Sequence, residues 1–225
     1  MKHQLTTIKQ ICFDHFLPLS CLLCGQHCPH PLALCKACTG LVHANNLEQA
    51  NQILEHENPI WDKFRYLSTY QTPLKELIQK GKFNDNLAVF KTLGQLFAQQ
   101  ILLQGYDPDL VLIPVPLHSS RLLERGYNQA NEIALPLAKV LKLTINNLVV
   151  VRSQEAKVQH LLTKKQRIRN AEQLFEIKAT VPKKVAIVDD IFTTGATMRS
   201  ICNCLNNAGV EIIEVWIIAR TLKAS

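Results

Sequence analysis

Val185-Ala186-Ile187-Val188-Asp189-Asp190-Ile191-Phe192-Thr193-Thr194-Gly195-Ala196-Thr197 sets the terms for the rest of this chain. Four apolar residues run into two adjacent carboxylates, and a short Thr/Gly loop then leads into a helical pattern. A buried strand that delivers acids and hydroxyls to its C-terminal edge is how open α/β sheets present a ligand. In the turn, backbone N–H groups and the hydroxyls of Thr193, Thr194 and Thr197 can hold a phosphate against the N-terminus of the following helix. Asp189 and Asp190 can accept hydrogen bonds from a sugar diol and help to hold a divalent metal. The spacing therefore fits a ribose 5-phosphate better than a bare phosphate. The plainer reading is a strand end followed by an N-cap. Caps rarely need two acids, three Thr and a Gly in one turn.

Outward from this segment, apolar runs alternate with helical periodicity. Leu110 to Pro116 reads as a buried strand that breaks at its prolines, and Leu148 to Arg152 and Ile212 to Ile218 read as further strands. Asn86 to Gln104, with Val89, Phe90, Leu93, Leu96 and Phe97 at helical spacing, predicts a long amphipathic helix. Thr72-Pro73 opens a helix expected to run to Lys80 and to stop at Gly81. Gly126 to Ala130 opens another that ends near Leu141, and a third covers about Ala196 to Asn207. Trp61 to Tyr70 mixes aromatic and charged residues as a strand or hairpin would. The alternation predicts an α/β fold with a mostly parallel, right-handed sheet and flanking helices.

Near the front, Cys21-Leu22-Leu23-Cys24 and Cys35-Lys36-Ala37-Cys38 are two Cys-x-x-Cys pairs ten residues apart. Each pair is a tight turn that aims two thiolates at one point, and together they complete a tetrahedral Zn²⁺ shell. Gly25 suits the positive-φ position such turns often need. The intervening residues cannot build a core alone, so metal would supply the folding energy. A redox or disulfide pairing is the alternative. His27, Cys28 and His30 lie between the pairs and read as bystanders, because four Cys already close the shell. The closed shell makes the zinc structural. Cys12, Cys202 and Cys204 have no partner at metal spacing.

With 225 residues, 47% of them hydrophobic and 19% charged, the chain reads as an ordinary soluble globule with a proper core. No apolar run reaches the roughly 18 residues of a membrane span, so no membrane insertion is expected. The first ten residues lack a signal-peptide core, which makes a cytoplasmic location the expectation and argues against disulfides. A net charge of +7 and a pI near 9.0 favour anionic partners such as phosphates, nucleotides or nucleic acid.

A second cluster follows the Pro114-Val115-Pro116 strand end: Arg121, Arg125, Gly126, Asn128 and Gln129. It suits a second anion at the sheet edge, or is simply a basic helix start in solvent. From Arg152 to Phe175 the chain is polar and basic, either a flap that closes over a phosphate site or a solvated face.

The opening segment resembles the signature of the type I phosphoribosyltransferases, whose acids hold the ribose of phosphoribosyl pyrophosphate, directly or through Mg²⁺, and whose loop wraps the 5-phosphate. That resemblance implies Asp189 and Asp190 as catalytic and ribose-binding residues. It implies Thr193, Thr194, Gly195, Ala196 and Thr197 for the phosphate; such a site needs a second anion pocket for the pyrophosphate, and Arg121 and Arg125 at the other strand end are the candidates for it. Together with the four-Cys knuckle, Tyr70, Lys75 to Phe83, Arg125-Gly126-Tyr127-Asn128-Gln129 and Gln166-Arg167, it is similar to the ComF/GntX family over nearly the whole chain. This similarity implies a small N-terminal zinc-ribbon-like module (1–45), a connector (46–62) and a phosphoribosyltransferase-like domain (63–225). It also implies natural transformation as the role, with uptake of single-stranded DNA on the cytoplasmic side and competence-machinery proteins as partners. The alternative is a Mg²⁺-dependent phosphoribosyltransferase of nucleotide metabolism or salvage with no DNA role.

Overall fold

The computed structural model describes residues 20–28, 32–44, 60–83, 86–153 and 174–222. Its centre is a five-stranded sheet built from β1 (Lys63–Thr69), β2 (Val111–Pro114), β3 (Thr144–Ile145), β6 (Lys184–Phe192) and β7 (Ile212–Arg220). Their order across the sheet is β1-β7-β6-β2-β3, and every neighbouring pair is parallel. Val185 to Val188 and Ile213 to Ala219 are buried throughout, as strands covered on both faces must be.

The two-residue strand period divides these side chains between two layers. Ala186, Val188, Trp216 and Ile218 join one core with helices α2 (Leu74–Phe83), α3 (Leu87–Gln104) and α5 (Gln129–Leu141). Val185, Ile187, Val215 and Ile217 join the other with α6 (Ala196–Asn207) and the strands β4 (Val150–Arg152) and β5 (Phe175–Ile177). α3 and α5 approach closely because Gly94 lacks a side chain: a Cβ there would lie 2.5 Å from Pro136 and 2.6 Å from the Ile133 carbonyl oxygen.

The cysteine knuckle is welded to this body. Its helix α1 (Lys36–Ala44) starts at the second Cys pair, and Cys21, Cys28, Leu34, Cys38 and Val42 belong to the same buried cluster as Leu74, Leu77 and Phe90. The Lys80 amine on α2 donates to the Leu22 carbonyl at 3.3 Å.

Several expectations need correction. Gly81 does not stop α2, which runs on to Phe83; a Cβ at Gly81 would meet the Phe90 ring at 2.7 Å, so packing sets the residue there. The strand expected from Leu148 begins at Val150 and pairs antiparallel with β5, outside the main sheet. Trp61 to Tyr70 supplies a single edge strand, β1, parallel to β7. A further helix, α4 (Ser119–Arg125), follows β2. Cys12, His30 and the basic segment 154–173, with Gln166 and Arg167, lie outside the described residues. Among the described residues no helix is long and apolar enough to cross a membrane.

Candidate functional site

Because all five strands are parallel, their C-terminal ends open on one edge, and β2 and β6 are neighbours there. Asp189 and Asp190 are the sixth and seventh residues of β6, inside the strand and not beyond it. Successive strand residues leave on opposite faces. Asp190 is 9% exposed and forms an ion pair with Lys82 of α2, whose Nζ lies 2.6 Å from Asp190 Oδ2. The Asp190 N–H donates to Asp189 Oδ1 at 2.9 Å. Burial, and then the adjacent Asp190 charge, push the Asp189 carboxyl well above the usual carboxylate range. The pair therefore carries one acid compensated by Lys82 and one that burial and its neighbour's charge hold toward the protonated form.

The loop comes next. Thr193, Thr194 and Ala196 are exposed, Thr197 is half-buried, and Gly195 is buried in the left-handed region at φ 75° as the N-cap of α6. The Ala196 N–H donates to Thr194 Oγ1 at 3.4 Å. One turn into the helix, Arg199 donates from its guanidinium to the Thr194 carbonyl, which adds a cation beside the loop. A Cβ on Gly195 would meet the Phe192 ring at 2.7 Å. Gly195→Ala should therefore cost about 1–2 kcal/mol for the left-handed backbone, and the ring must also move. Thermal unfolding should show a drop of roughly 2–8 °C; an unchanged melting temperature would contradict this account of the loop.

On the neighbouring strand end, the Arg-Gly-Tyr-Asn-Gln run acts as a brace. Asn128 accepts from the Ala130 N–H at 3.1 Å and donates to the Val115 carbonyl at 2.9 Å, so it caps α5 and holds the β2 loop together. Tyr127 Oη donates to the Gly81 carbonyl at 2.5 Å. Arg125 turns onto the Gln129 side chain, with Nε 3.0 Å from its oxygen once that amide is oriented to accept. Gly126 caps α4 at φ 74°. Arg121 is exposed on α4. Burial, and then the nearby Arg121 charge, lower the Arg152 guanidinium from its ordinary value, while Arg152 sits over the Phe175 ring at 5.6 Å. The Arg121 and Arg152 charges repel each other, and an anion between them would relieve that repulsion.

The structure thus gathers Asp189, Asp190 and the Thr193–Thr197 loop into one strand–loop–helix unit. It sets Arg121 on α4 beside Arg152 and turns Arg125 toward Gln129. The sequence marks Arg152 only as the start of the basic segment and does not single out Lys82 or Arg199 as site residues. The only signal for Lys82 was its position within the Lys75 to Phe83 resemblance.

The four sulfurs of Cys21, Cys24, Cys35 and Cys38 all lie within 4.8 Å of one another. Cys24 and Cys35 Sγ are 3.9 Å apart, close to the ~3.8 Å edge of a tetrahedron with Zn–S bonds of about 2.3 Å. Gly25 takes φ 74° in the first turn, and the Cys35 N–H points to Cys21 Sγ at 3.5 Å. This cluster could hold a metal such as zinc. Cys28 is engaged elsewhere, donating to the Leu32 carbonyl at 3.5 Å.

A parallel sheet with acids at a strand end and a glycine-capped loop opening a helix defines a phosphoribosyltransferase-type domain. Residues 82–224 match the family described as "Phosphoribosyl transferase domain". Over 172 residues the chain is 36% identical to "Competence protein F" of Haemophilus influenzae, covering 73% of this chain and 75% of that protein. It is 29% identical over 227 residues to "DNA utilization protein YhgH" of Salmonella typhimurium, covering 96% and 99%. It is also 24% identical over 230 residues to "Competence protein ComFC" of Streptococcus pneumoniae, covering 90% and 100%. The chain belongs to the phosphoribosyl transferase domain family, and within it to the ComF group.

Proposed function

We propose that this chain binds a phosphoribosyl group, of the phosphoribosyl pyrophosphate kind, and serves in the handling of incoming single-stranded DNA during natural transformation. The observation that carries the first half is the end of β6, where Asp189 and Asp190 lead into a buried, left-handed Gly195 at the N-terminus of α6. In this reading, Asp189 meets the ribose hydroxyls, and the Thr193–Thr197 amides and hydroxyls close on the 5-phosphate with the positive end of the helix behind them. Arg121, beside Arg152, faces the pyrophosphate, and Arg125 is held at that edge by Gln129. Mg²⁺ suits these hard oxygen donors, and when bound it would neutralise charge on a departing pyrophosphate. Lys82 already compensates Asp190, so Asp189 is the acid left for hydroxyls or a cation. The DNA half rests on the +7 net charge and on the names of the relatives, "Competence protein F" and "DNA utilization protein".

Calorimetric titration of phosphoribosyl pyrophosphate in Mg²⁺ should give saturable binding that Asp189→Ala weakens by at least about tenfold, the loss expected when a buried hydrogen-bonding partner is removed. Identical heats for wild type and variant would overturn the phosphoribosyl reading. A fluorescent single-stranded oligonucleotide should bind with affinity that falls steeply as salt rises. Weak binding that ignores salt would remove the DNA half while leaving the pocket in place.

A further inference from the structure

We infer that Lys82 is a positioning residue of the phosphoribosyl site, and that Tyr127 sets it in place from a remote part of the chain. The inference rests on the phosphoribosyl reading of Asp189 and Asp190. Asp190 is nearly enclosed, and an unpaired carboxylate at such a place is strongly disfavoured. Lys82 meets it at 2.6 Å, with 23% of the lysine side chain and 12% of the aspartate side chain exposed. A lysine amine has three donors on one compact charge. It can hold one oxygen of Asp190 and so keep that buried charge compensated next to Asp189, the acid left for the ligand.

The last turn of α2, which carries Lys82, is fixed at three points. Gly81 lies so close to the Phe90 ring that a Cβ would come within 2.7 Å. The Gly81 carbonyl accepts from Tyr127 Oη, a bond between residues 46 positions apart, and the Phe90 and Tyr127 rings have centroids 6.1 Å apart. One residue earlier, Lys80 reaches the Leu22 carbonyl of the cysteine knuckle. Lys80-Gly81-Lys82, Arg125-Gly126-Tyr127 and Asp189-Asp190 are three separate motifs in sequence. In space they form one chain of contacts: Tyr127 to the Gly81 carbonyl, the same helical turn to Lys82, and Lys82 to Asp190. This gives the tyrosine and the first lysine-glycine pair a role at the site although neither is placed to touch a ligand.

The test compares phosphoribosyl pyrophosphate binding, with Mg²⁺ throughout, in the wild type and in Lys82→Met, Lys82→Arg, Tyr127→Phe and the Lys82→Met/Tyr127→Phe double variant. Lys82→Met should lose roughly tenfold or more in affinity, and Lys82→Arg should recover most of it. Tyr127→Phe, which removes only a hydroxyl, should fold as the wild type does and lose a smaller factor. Combined with Lys82→Met it should add nothing further, because both act through one contact. A lysine that only supports the fold would lower the melting temperature and leave the affinity of the folded protein unchanged. Wild-type binding that Lys82→Met or Tyr127→Phe leaves untouched overturns this inference alone. Absence of wild-type binding takes down the phosphoribosyl reading and the inference with it.

Discussion

Cys35→Ser should strip the metal from the knuckle and lower the melting temperature of the whole protein, not merely fray its front. Structural zinc contributes about 10–16 kcal/mol of apparent folding free energy in isolated zinc-finger peptides, and a three-ligand shell forfeits a large part of it. Here that loss cannot stay local. Leu34 and Val42 are 1% and 0% exposed, and they pack in the same cluster as Leu74, Leu77 and Phe90. Releasing the knuckle would uncover that apolar surface. A destabilisation of even about 3–5 kcal/mol would lower the melting temperature by roughly 6–20 °C for a chain of this length. Elemental analysis should find one zinc per wild-type chain, and a strong chelator should reproduce the thermal shift of Cys35→Ser. Since Lys80 ties the knuckle to α2 through the Leu22 carbonyl, phosphoribosyl affinity should weaken along with the metal. Zinc-free wild-type protein that melts at the same temperature as the zinc-loaded form would refute the structural role of the metal.

What could be read from sequence was local chemistry. The two Cys-x-x-Cys turns, the apolar run into Asp189-Asp190 and the Thr/Gly loop each carry their meaning within a short stretch of chain, and the structure places all three as compact units. The alternating pattern also announced a parallel sheet. Strand order was beyond reach, because nothing in the periodicity of Lys63–Thr69 says that this early strand lies beside the last one, β7. Gly81 misled for a physical reason: intrinsic propensity makes glycine a helix stop, but the Phe90 ring leaves no room for any other residue, and tertiary packing won. Lys82 was hidden in another way. Its meaning lies in an ion pair with Asp190, far along the chain, and surface lysines in a Lys-Gly-Lys sequence ordinarily signal only solubility. The Arg-Gly-Tyr-Asn-Gln run looked like an anion loop, yet Tyr127, Asn128 and Gln129 spend their hydrogen bonds on α2, the β2 loop and Arg125. These three side chains brace the helix and strand ends around them, which their local sequence does not announce.

Glu214→Ala should be among the most damaging single changes outside the four-cysteine cluster. Glu214 is the third residue of β7 and accepts from Arg65 Nε at 2.8 Å and from Trp216 Nε1 at 2.7 Å. The Arg65 and Glu214 side chains are 4% and 8% exposed. Arg65 spends its remaining donors on Gln104 Oε1 at 3.1 Å and on the Gly105 carbonyl at 2.8 Å, at the C-terminal end of α3, where a cation also meets the negative end of the helix. One guanidinium thus stitches edge strand β1, strand β7 and helix α3 together. Removing the carboxylate leaves a buried cation with only neutral acceptors and an indole N–H with no partner. Breaking a buried pair from one side costs about 3–5 kcal/mol, which is roughly 6–20 °C of melting temperature at this length. Glu214→Gln keeps an acceptor for both donors and should lose much less, so the gap between the two variants separates charge from hydrogen bonding. Denaturant titration should give Glu214→Ala a lower midpoint. Hydrogen exchange should place the first loosening in β1, which has β7 as its one neighbour in the sheet. A Glu214→Ala protein within about half a kcal/mol of wild type, the range of ordinary surface substitutions, would mean that Arg65 finds water once its partner is gone and that β1 is held by packing alone.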